Sequence, residues 1–269
     1  MLRDTLHGHK IRFGEYTLKQ SFYGRIRAQG YDLGTDPSEI VNYYVAHWEH
    51  LGKPGPLLEP MCGTGLNLIP FLALGVPCDG TDSSPYMLEI CRMKLRQLGL
   101  QSNLHQQALE TLELAQRYGF IFIPGGSFGH IYDKQIAAAS LKRLYDHLLP
   151  GGWLVFDVRP FANIDTFGAP GKVDYDLDDY EDGSTVFTTG YWDHLEDGRV
   201  IRKWNKMERF MDNILTETEI FDYRERLYDA SEIEGDLEQA GFQTIHITKA
   251  YEHATVPGER DGIVCSCQK

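Results

Sequence analysis

The chain has 269 residues, 42% of them hydrophobic, and a formal net charge of −13. That is enough sequence for one large domain or a domain with an appendage, and the acidic balance makes a phosphate backbone a poor partner. No apolar run is long enough to span a bilayer, and the N-terminal MLRDTLHGHK lacks the apolar core of a secretory signal. A cytoplasmic protein is expected, with no nucleic acid and no membrane among its partners. The five cysteines are scattered, with Cys265 and Cys267 read as opposed across a C-terminal strand. They suggest reduced, buried thiols and no metal set.

Residues 1–30 mix aromatic and basic side chains (Phe13, Tyr16, Phe22, Tyr23, Arg25, Arg27) without a period, as an N-terminal arm would. A helix follows from Pro37 to about His50, with Ile40, Val41, Tyr44, Val45 and Trp48 on one face. Gly52-Lys53-Pro54-Gly55-Pro56 ends it, and Leu57-Leu58 starts a strand that runs into Glu59 and then Met61-Cys62-Gly63-Thr64-Gly65. Glycines at such a strand-to-helix turn allow positive φ and let a ligand lie against the backbone. A dinucleotide fingerprint would want a small residue where Leu68 stands, and a phosphate-cradling loop would want Lys-Ser or Lys-Thr after the glycines. A nucleotide-type cofactor without a pyrophosphate fits better.

The next helix covers Leu68–Leu74, with Asn67 as its N-cap, Pro70 harmless at the third position and Gly75 as its stop. A second strand, Val76–Thr81, ends at Asp82-Ser83-Ser84. Asp82 follows Gly63 by about 20 residues, the spacing at which a strand-end acid meets ribose hydroxyls. The same residues also make a good helix start. Pro85–Leu98 is the helix, with Met87, Leu88, Cys91 and Leu95 on one face, and Leu104–Leu109 a third strand. Phe120–Ile123 is continuously apolar, as a strand buried on both faces would be. The loop Pro124-Gly125-Gly126-Ser127-Phe128-Gly129-His130 behind it should face cofactor and substrate. A helix (Asp133–Leu149) and a strand ending at Asp157 complete this part. From Arg159 the period changes to alternation: Thr185–Trp192, Val200–Phe210 and Leu215–Leu227 read as three antiparallel strands, with the acidic run Asp174–Asp182 as an exposed loop. A helix from Ser231 to Gly241 and strands at Phe242–Ile247 and Gly262–Cys267 close the chain.

The stretch E-x-x-C-G-T-G at residues 59–65 resembles the first motif of the class I S-adenosylmethionine-dependent methyltransferases, [DE]-x-G-x-G-x-G, with Met61 in the first glycine position. Residues 148–157, L-x-P-G-G-x-L-x-x-[DE], resemble the turn and fifth strand of the same enzymes. The resemblance covers residues 31–160 and 228–269. It implies an α/β fold: a doubly wound, Rossmann-like, seven-stranded and mostly parallel sheet with a terminal antiparallel hairpin strand. Residues 161–227 are then an inserted antiparallel β platform on the substrate side. The resemblance also implies S-adenosyl-L-methionine as cofactor. Glu59, Cys62, Gly63, Thr64 and Gly65 would hold its methionine end, Asp82 and Ser83 its ribose, and Met87, Gln107, Ala108 and Leu109 its adenine. Tyr31 would close over it, and Gly125 would border it. Ala108 stands where the family commonly has an adenine-binding acid, so that contact would fall to Gln107 or to backbone.

The string G-G-S-F-G-H at residues 125–130 is similar to the equivalent loop of sugar amine N-methyltransferases, which makes His130 the candidate base. The implied reaction is methyl transfer to a nitrogen or oxygen nucleophile of a small molecule. Two other readings stay open: an NAD-dependent oxidoreductase, and a catalytically inactive S-adenosylmethionine-binding regulatory or partner protein. Arg159 could meet an anionic substrate group or pair with Asp157. Arg224 and Arg226 alternate onto one strand face, as an anion clamp or a solvated face would. The platform leaves a homodimer open.

Overall fold

The computed structural model describes residues 23–269; Phe13, Tyr16 and Phe22 of the expected arm lie outside the described residues. The chain enters through α1 (Arg25–Gln29) and α2 (Ser38–His50). Five strands and their connecting helices then alternate: β1 (Leu57–Pro60), α3 (Leu68–Ala73), β2 (Cys78–Asp82), α4 (Pro85–Leu98), β3 (Leu104–Gln106), β4 (Tyr118–Ile123), α5 (Lys134–His147) and β5 (Leu148–Val158). Four strands of a second sheet follow: β6 (Val173–Asp179), β7 (Thr185–Leu195), β8 (Val200–Met211) and β9 (Ile214–Arg226). The chain returns through α6 (Ala230–Ala240), β10 (Gln243–Lys249) and β11 (Ile263–Gln268).

The first sheet has the order β10-β11-β5-β4-β1-β2-β3. Its five βα strands run parallel, and β11 is antiparallel to both β5 and β10. The order reverses between β1 and β4, so a crevice opens beyond their carboxyl ends, the usual ligand position in such sheets. No helix of the described residues is long and apolar enough to cross a membrane.

Local chemistry explains why these segments take these forms. Every residue of β1 and β4 is buried, as central parallel strands covered on both faces must be. Alternation divides β4 cleanly: Phe120 and Phe122 join the core under α2, α3 and α4, while Ile121 and Ile123 join the core under α5 and α6. Ser84 caps α4 by accepting from the Met87 N–H, Pro85 starts it, and Gly99 ends it in the left-handed region at φ 67°. Asp133 caps α5 through the N–H groups of Gln135 and Ile136.

Several expectations need correcting. The third strand stops at Gln106, and Leu109–Thr111 form a 3-10 turn, because Gln107 folds back onto Glu113 through both its amide atoms. Asn67 stands at the start of α3 but makes no side-chain cap. The inserted sheet has four strands where three were expected: residues 173–179 of the acidic run pair in full register with β7. The alternation Val-Asp-Tyr-Asp-Leu-Asp had been masked by its charge. Cys265 and Cys267, two residues apart on one strand, share a face and pack in the same core. All five cysteines are free and buried.

Phe122 lies at the centre of this arrangement, fully buried and in ring contact with Phe71, Phe120 and Tyr44. Truncation to alanine should cost about 3–5 kcal/mol, read as a lower urea midpoint at unchanged slope.

Candidate active site

Three strands of the first sheet end in a buried acid. Glu59 sits in β1, Asp82 closes β2, and Asp157 is the penultimate residue of β5; they are 2%, 8% and 6% exposed. Between β1 and α3 the backbone turns through three left-handed residues, Met61 (φ 58°), Gly63 (φ 53°) and Gly65 (φ 82°). Met61 therefore adopts the conformation of the glycine it replaces in the motif, at a cost of about 1–2 kcal/mol. A Cβ on Gly63 would meet nothing within 4 Å, whereas one on Gly65 would lie 2.7 Å from Cys91 Sγ. Gly63 thus leaves open space above the loop, and Gly65 lets α4 approach it from below.

A cavity of about 280 Å³ lies in the crevice, lined by Tyr23, Tyr31, Met61, Gly63, Asp82, Ser83, Met87, Gln107, Ala108, Leu109, Glu110, Thr111, Ser127, His130 and Ile131. Nine of the residues singled out in the sequence are brought together here. Five others support the cavity from outside its lining. Cys62 turns into the core against Gly80, Thr64 donates to Asp32 at 2.7 Å, Gly65 packs on α4, Gly125 is tied to Asp157, and Glu59 lies beneath the loop. Sequence reasoning did not assign Tyr23, Met61 or Ser127 to the site. Tyr23 carried no periodic signal, but its place in an aromatic and basic arm was a hint. A hollow of about 720 Å³ between α4 and β3 gathers Arg92, Arg96 and His105, but it is wide open and lies away from the strand ends.

Electrostatics set the acids apart. Asp82 accepts from the Gly63 N–H at 2.9 Å and the Ser84 N–H at 2.8 Å, so it fixes the glycine loop to β2. Burial still pushes its carboxyl upward, against those bonds. Glu59 is pushed well above the usual range by burial, although Asn67 and the Leu68 N–H favour its charge. Its Oε2 is buried and has no hydrogen-bond partner among the described residues. A buried acceptor of this kind asks for a cationic or donor group.

His130 stands opposite, in a 3-10 turn (Ser127–His130) behind β4. Its Nδ1 is 3.0 Å from the Arg224 carbonyl oxygen, which can only accept, so Nδ1 carries the proton. The lone pair is then on Nε2, 3.5 Å from the Tyr23 hydroxyl. Tyr223 packs its ring edge-on to His130 at 5.0 Å and donates from its hydroxyl to Glu225, which also pairs with Arg159 Nε at 2.8 Å. Arg159 thus pairs with Glu225, close enough to Asp157 for the two charges to interact. Arg224 is engaged by Asp222 and Tyr132, and Arg226 by Glu196 and Glu232, so neither is left as an anion clamp. Asp174 and Asp182 of the acidic run likewise hold Lys203 and Arg209.

A strap of residues 23–34 closes one side. Glu219 of β9 accepts from the Ile26 N–H at 2.8 Å, Tyr180 donates to the Ile26 carbonyl at 3.1 Å, and Arg209 bonds Gln29. On the sheet side, Ser84 Oγ donates to the Tyr23 carbonyl at 2.6 Å and Lys94 pairs with Asp32. The strap holds Tyr23 and Tyr31 edge to face at 5.5 Å in the cavity wall. Burial raises both phenols, so they stay protonated.

Glu59 gives a stability test. Its folded pKa lies above the model-peptide value of 4.5, so the ligand-free protein loses stability as pH rises above about 4.5 toward the folded value. Glu59→Gln escapes that loss. Melting temperatures from pH 5 to 8 should diverge in favour of the variant, and parallel curves would contradict the assignment.

Comparison with known proteins agrees with this geometry. Residues 57–152 match the family model described as "Methyltransferase domain". The dTDP-3-amino-3,6-dideoxy-alpha-D-glucopyranose N,N-dimethyltransferase of Streptomyces fradiae is 29% identical over 124 residues, 46% of this chain and 46% of that protein. The dTDP-3-amino-3,4,6-trideoxy-alpha-D-glucopyranose N,N-dimethyltransferase of Streptomyces venezuelae is 27% identical over 158 residues, 59% of this chain and 62% of that protein. The chain therefore spans about half to three fifths of the curated relatives it matches. An S-adenosylmethionine-dependent methyltransferase from Clostridium acetobutylicum shares the fold at a TM-score of 0.73 and 17% identity, over 90% of this chain and 96% of that one. Residues 57–152 thus match a methyltransferase domain, and the chain shares its fold with an S-adenosylmethionine-dependent methyltransferase.

Proposed function

We propose that this protein transfers a methyl group from S-adenosyl-L-methionine to a nitrogen of a small molecule, an amino sugar being the best-supported acceptor. The observation that carries the reading is His130, whose Nδ1–H is held by the Arg224 carbonyl so that Nε2 carries the lone pair, in the wall of the cavity that the glycine loop and Asp82 also line. The residues fit the cofactor: the orphaned, buried Glu59 Oε2 suits the ammonium of its methionine part, and the open space above Gly63 suits close approach. Asp82 keeps a lone pair on each oxygen for ribose hydroxyls, and Met87, Ala108 and Leu109 offer an apolar slot for adenine. Gln107 lines the same cavity; one of its two amide N–H groups is spent on the Glu113 carbonyl, which leaves the second as a donor for adenine. The cofactor supplies a methyl group activated by its sulfonium, so the protein's work is alignment, water exclusion and proton removal.

An ammonium acceptor has no lone pair to attack with. His130 Nε2 takes its proton, and the Arg224 carbonyl stabilises the resulting imidazolium through Nδ1–H. The strap and the platform strand β9 wall the reaction off from water. Both curated relatives are named as N,N-dimethyltransferases of dTDP-amino sugars, which favours nitrogen over oxygen here. A reducing, cytoplasmic setting suits the five unpaired thiols. His130→Ala should lower kcat by about 10²–10⁴-fold with cofactor affinity unchanged. Cofactor turnover by mass spectrometry with a panel of amino sugars checks it; equal rates in variant and wild type would remove His130 from the mechanism.

We further propose that the protein works as a homodimer joined through the outer face of its second sheet. Cross-strand register sets Val173, Tyr191 and Trp204 in one row, Tyr175, Thr189, Lys206 and Ile220 in the next, and Leu177, Phe187 and Glu208 beside them. Tyr175 and Leu177 are 74% and 68% exposed, and Val173, Tyr191 and Ile220 are also largely open. These five side chains offer on the order of 600 Å² of surface per copy, near the roughly 800 Å² a standard interface takes from each partner. Charge on this face is internally neutralised by Lys206–Glu208 and Arg202–Asp222 pairs, so two copies meet without the repulsion their net charge implies. Light scattering should give twice the chain mass for the wild type and the single mass for Tyr175→Asp/Leu177→Asp. A monomeric wild type at micromolar concentration would rule the interface out.

A further inference from the structure

We propose that Asp157 is a positioning residue for His130: its carboxylate clamps the Gly125-Gly126 turn, and the turn aims the imidazole. The inference rests on the functional reading given above. Asp157 Oδ1 accepts from the Tyr44 hydroxyl at 2.7 Å and from the Gly125 N–H at 2.9 Å, and Oδ2 accepts from the Gly126 N–H at 2.6 Å. The two glycines are both left-handed, at φ 73° and 74°. Successive N–H groups turned to one side make an anion-binding nest, and here the anion is a side chain of the neighbouring strand. Glycine holds two consecutive left-handed positions at the least cost.

From that clamp the path to the imidazole is short. The Gly126 carbonyl accepts from the Gly129 N–H at 2.9 Å, which closes the 3-10 turn, and Phe128 is fully buried in the core. His130 follows, held at its far side by the Arg224 carbonyl. The turn is therefore fixed at its base by Asp157, in its middle by Phe128 and at its tip by β9. Tyr44 ties the base to α2, since its hydroxyl also approaches the Ile123 carbonyl at 3.4 Å. The catalytic imidazole is thus registered against both halves of the sheet.

A protonated Asp157 is a weaker acceptor on both oxygens, so its bonds to the glycine N–H groups loosen. Burial pushes this carboxyl up to about 6, while Tyr44 and the two glycine N–H groups pull it down. The groups that face it are Tyr43 and Tyr44 of α2, Tyr251 after β10, Cys265 of β11 and Arg159 beyond β5. Arg159 is the one cation among them, and Glu225 already holds it. The clamp is closed above this midpoint and loosens below it, inside the range where an enzyme works.

The test reads the clamp without turnover. In wild-type protein the amide ¹⁵N–¹H signals of Gly125 and Gly126 should titrate together near pH 6. Tyr44→Phe removes a bond that lowers this pKa, so the midpoint should move to higher pH, and the acid limb of kcat should move with it. Asp157→Asn should abolish the titration and reduce kcat by about tenfold or more with cofactor affinity changed less than about threefold, the split expected when alignment alone is lost. Amide signals that stay flat from pH 5 to 8, or a Tyr44→Phe midpoint unmoved from wild type, would overturn the clamp. If wild type methylates no amine, the NMR titrations still decide the clamp, and the functional reading is what fails.

Discussion

Burial of carboxyl groups at the carboxyl ends of β1, β2 and β5 is the constraint around which the site is built. Each acid costs desolvation, and each has its pKa raised by it. What differs is how the cost is met. Asp82 and Asp157 recover it from backbone N–H groups, and in doing so they pin the two glycine turns that flank the crevice. Glu59 keeps one oxygen without a partner among the described residues. The scaffold thus satisfies the two acids that hold its loops and leaves unsatisfied the one suited to a cationic ligand. Such local instability in an otherwise consistent fold is where function is expected to sit.

The second sheet completes the chemistry that the first cannot supply. The carbonyl of Arg224 fixes the imidazole tautomer, Tyr223 and Glu225 back the ring, and Glu219 holds the strap. All four residues belong to β9, which therefore holds His130 and the strap that border the cavity. Phe221 of the same strand joins Val186 and Met207 of the neighbouring strands against Ile26 in a small core.

Much of this was legible in the chain. The doubly wound order, the glycine turn and the spaced acid Asp82 could be read because backbone demands and strand burial leave strong local marks. The loop bearing His130 was legible for the same reason, since Gly125 and Gly126 announce a turn behind an apolar strand. What escaped depends on pairing across long separations. Nothing near Arg159 says that Glu225 is its partner, and nothing near Tyr23 says that it meets His130. The strand β6 was hidden because three aspartates in alternation read as solvent, although an edge strand is where charge is tolerated. The fold-back of Gln107 onto Glu113 has no sequence signature either.

The strap has a kinetic consequence. Residues 23–34 are fastened on one side to the platform, by Glu219, Tyr180 and Arg209, and on the other to the sheet, by Ser84 and Lys94. Anything that enters or leaves the crevice past Tyr23 and Tyr31 must wait for one row of these fastenings to part. The strand whose carbonyl holds the His130 imidazole also holds the strap, so loosening one and loosening the other are mechanically linked.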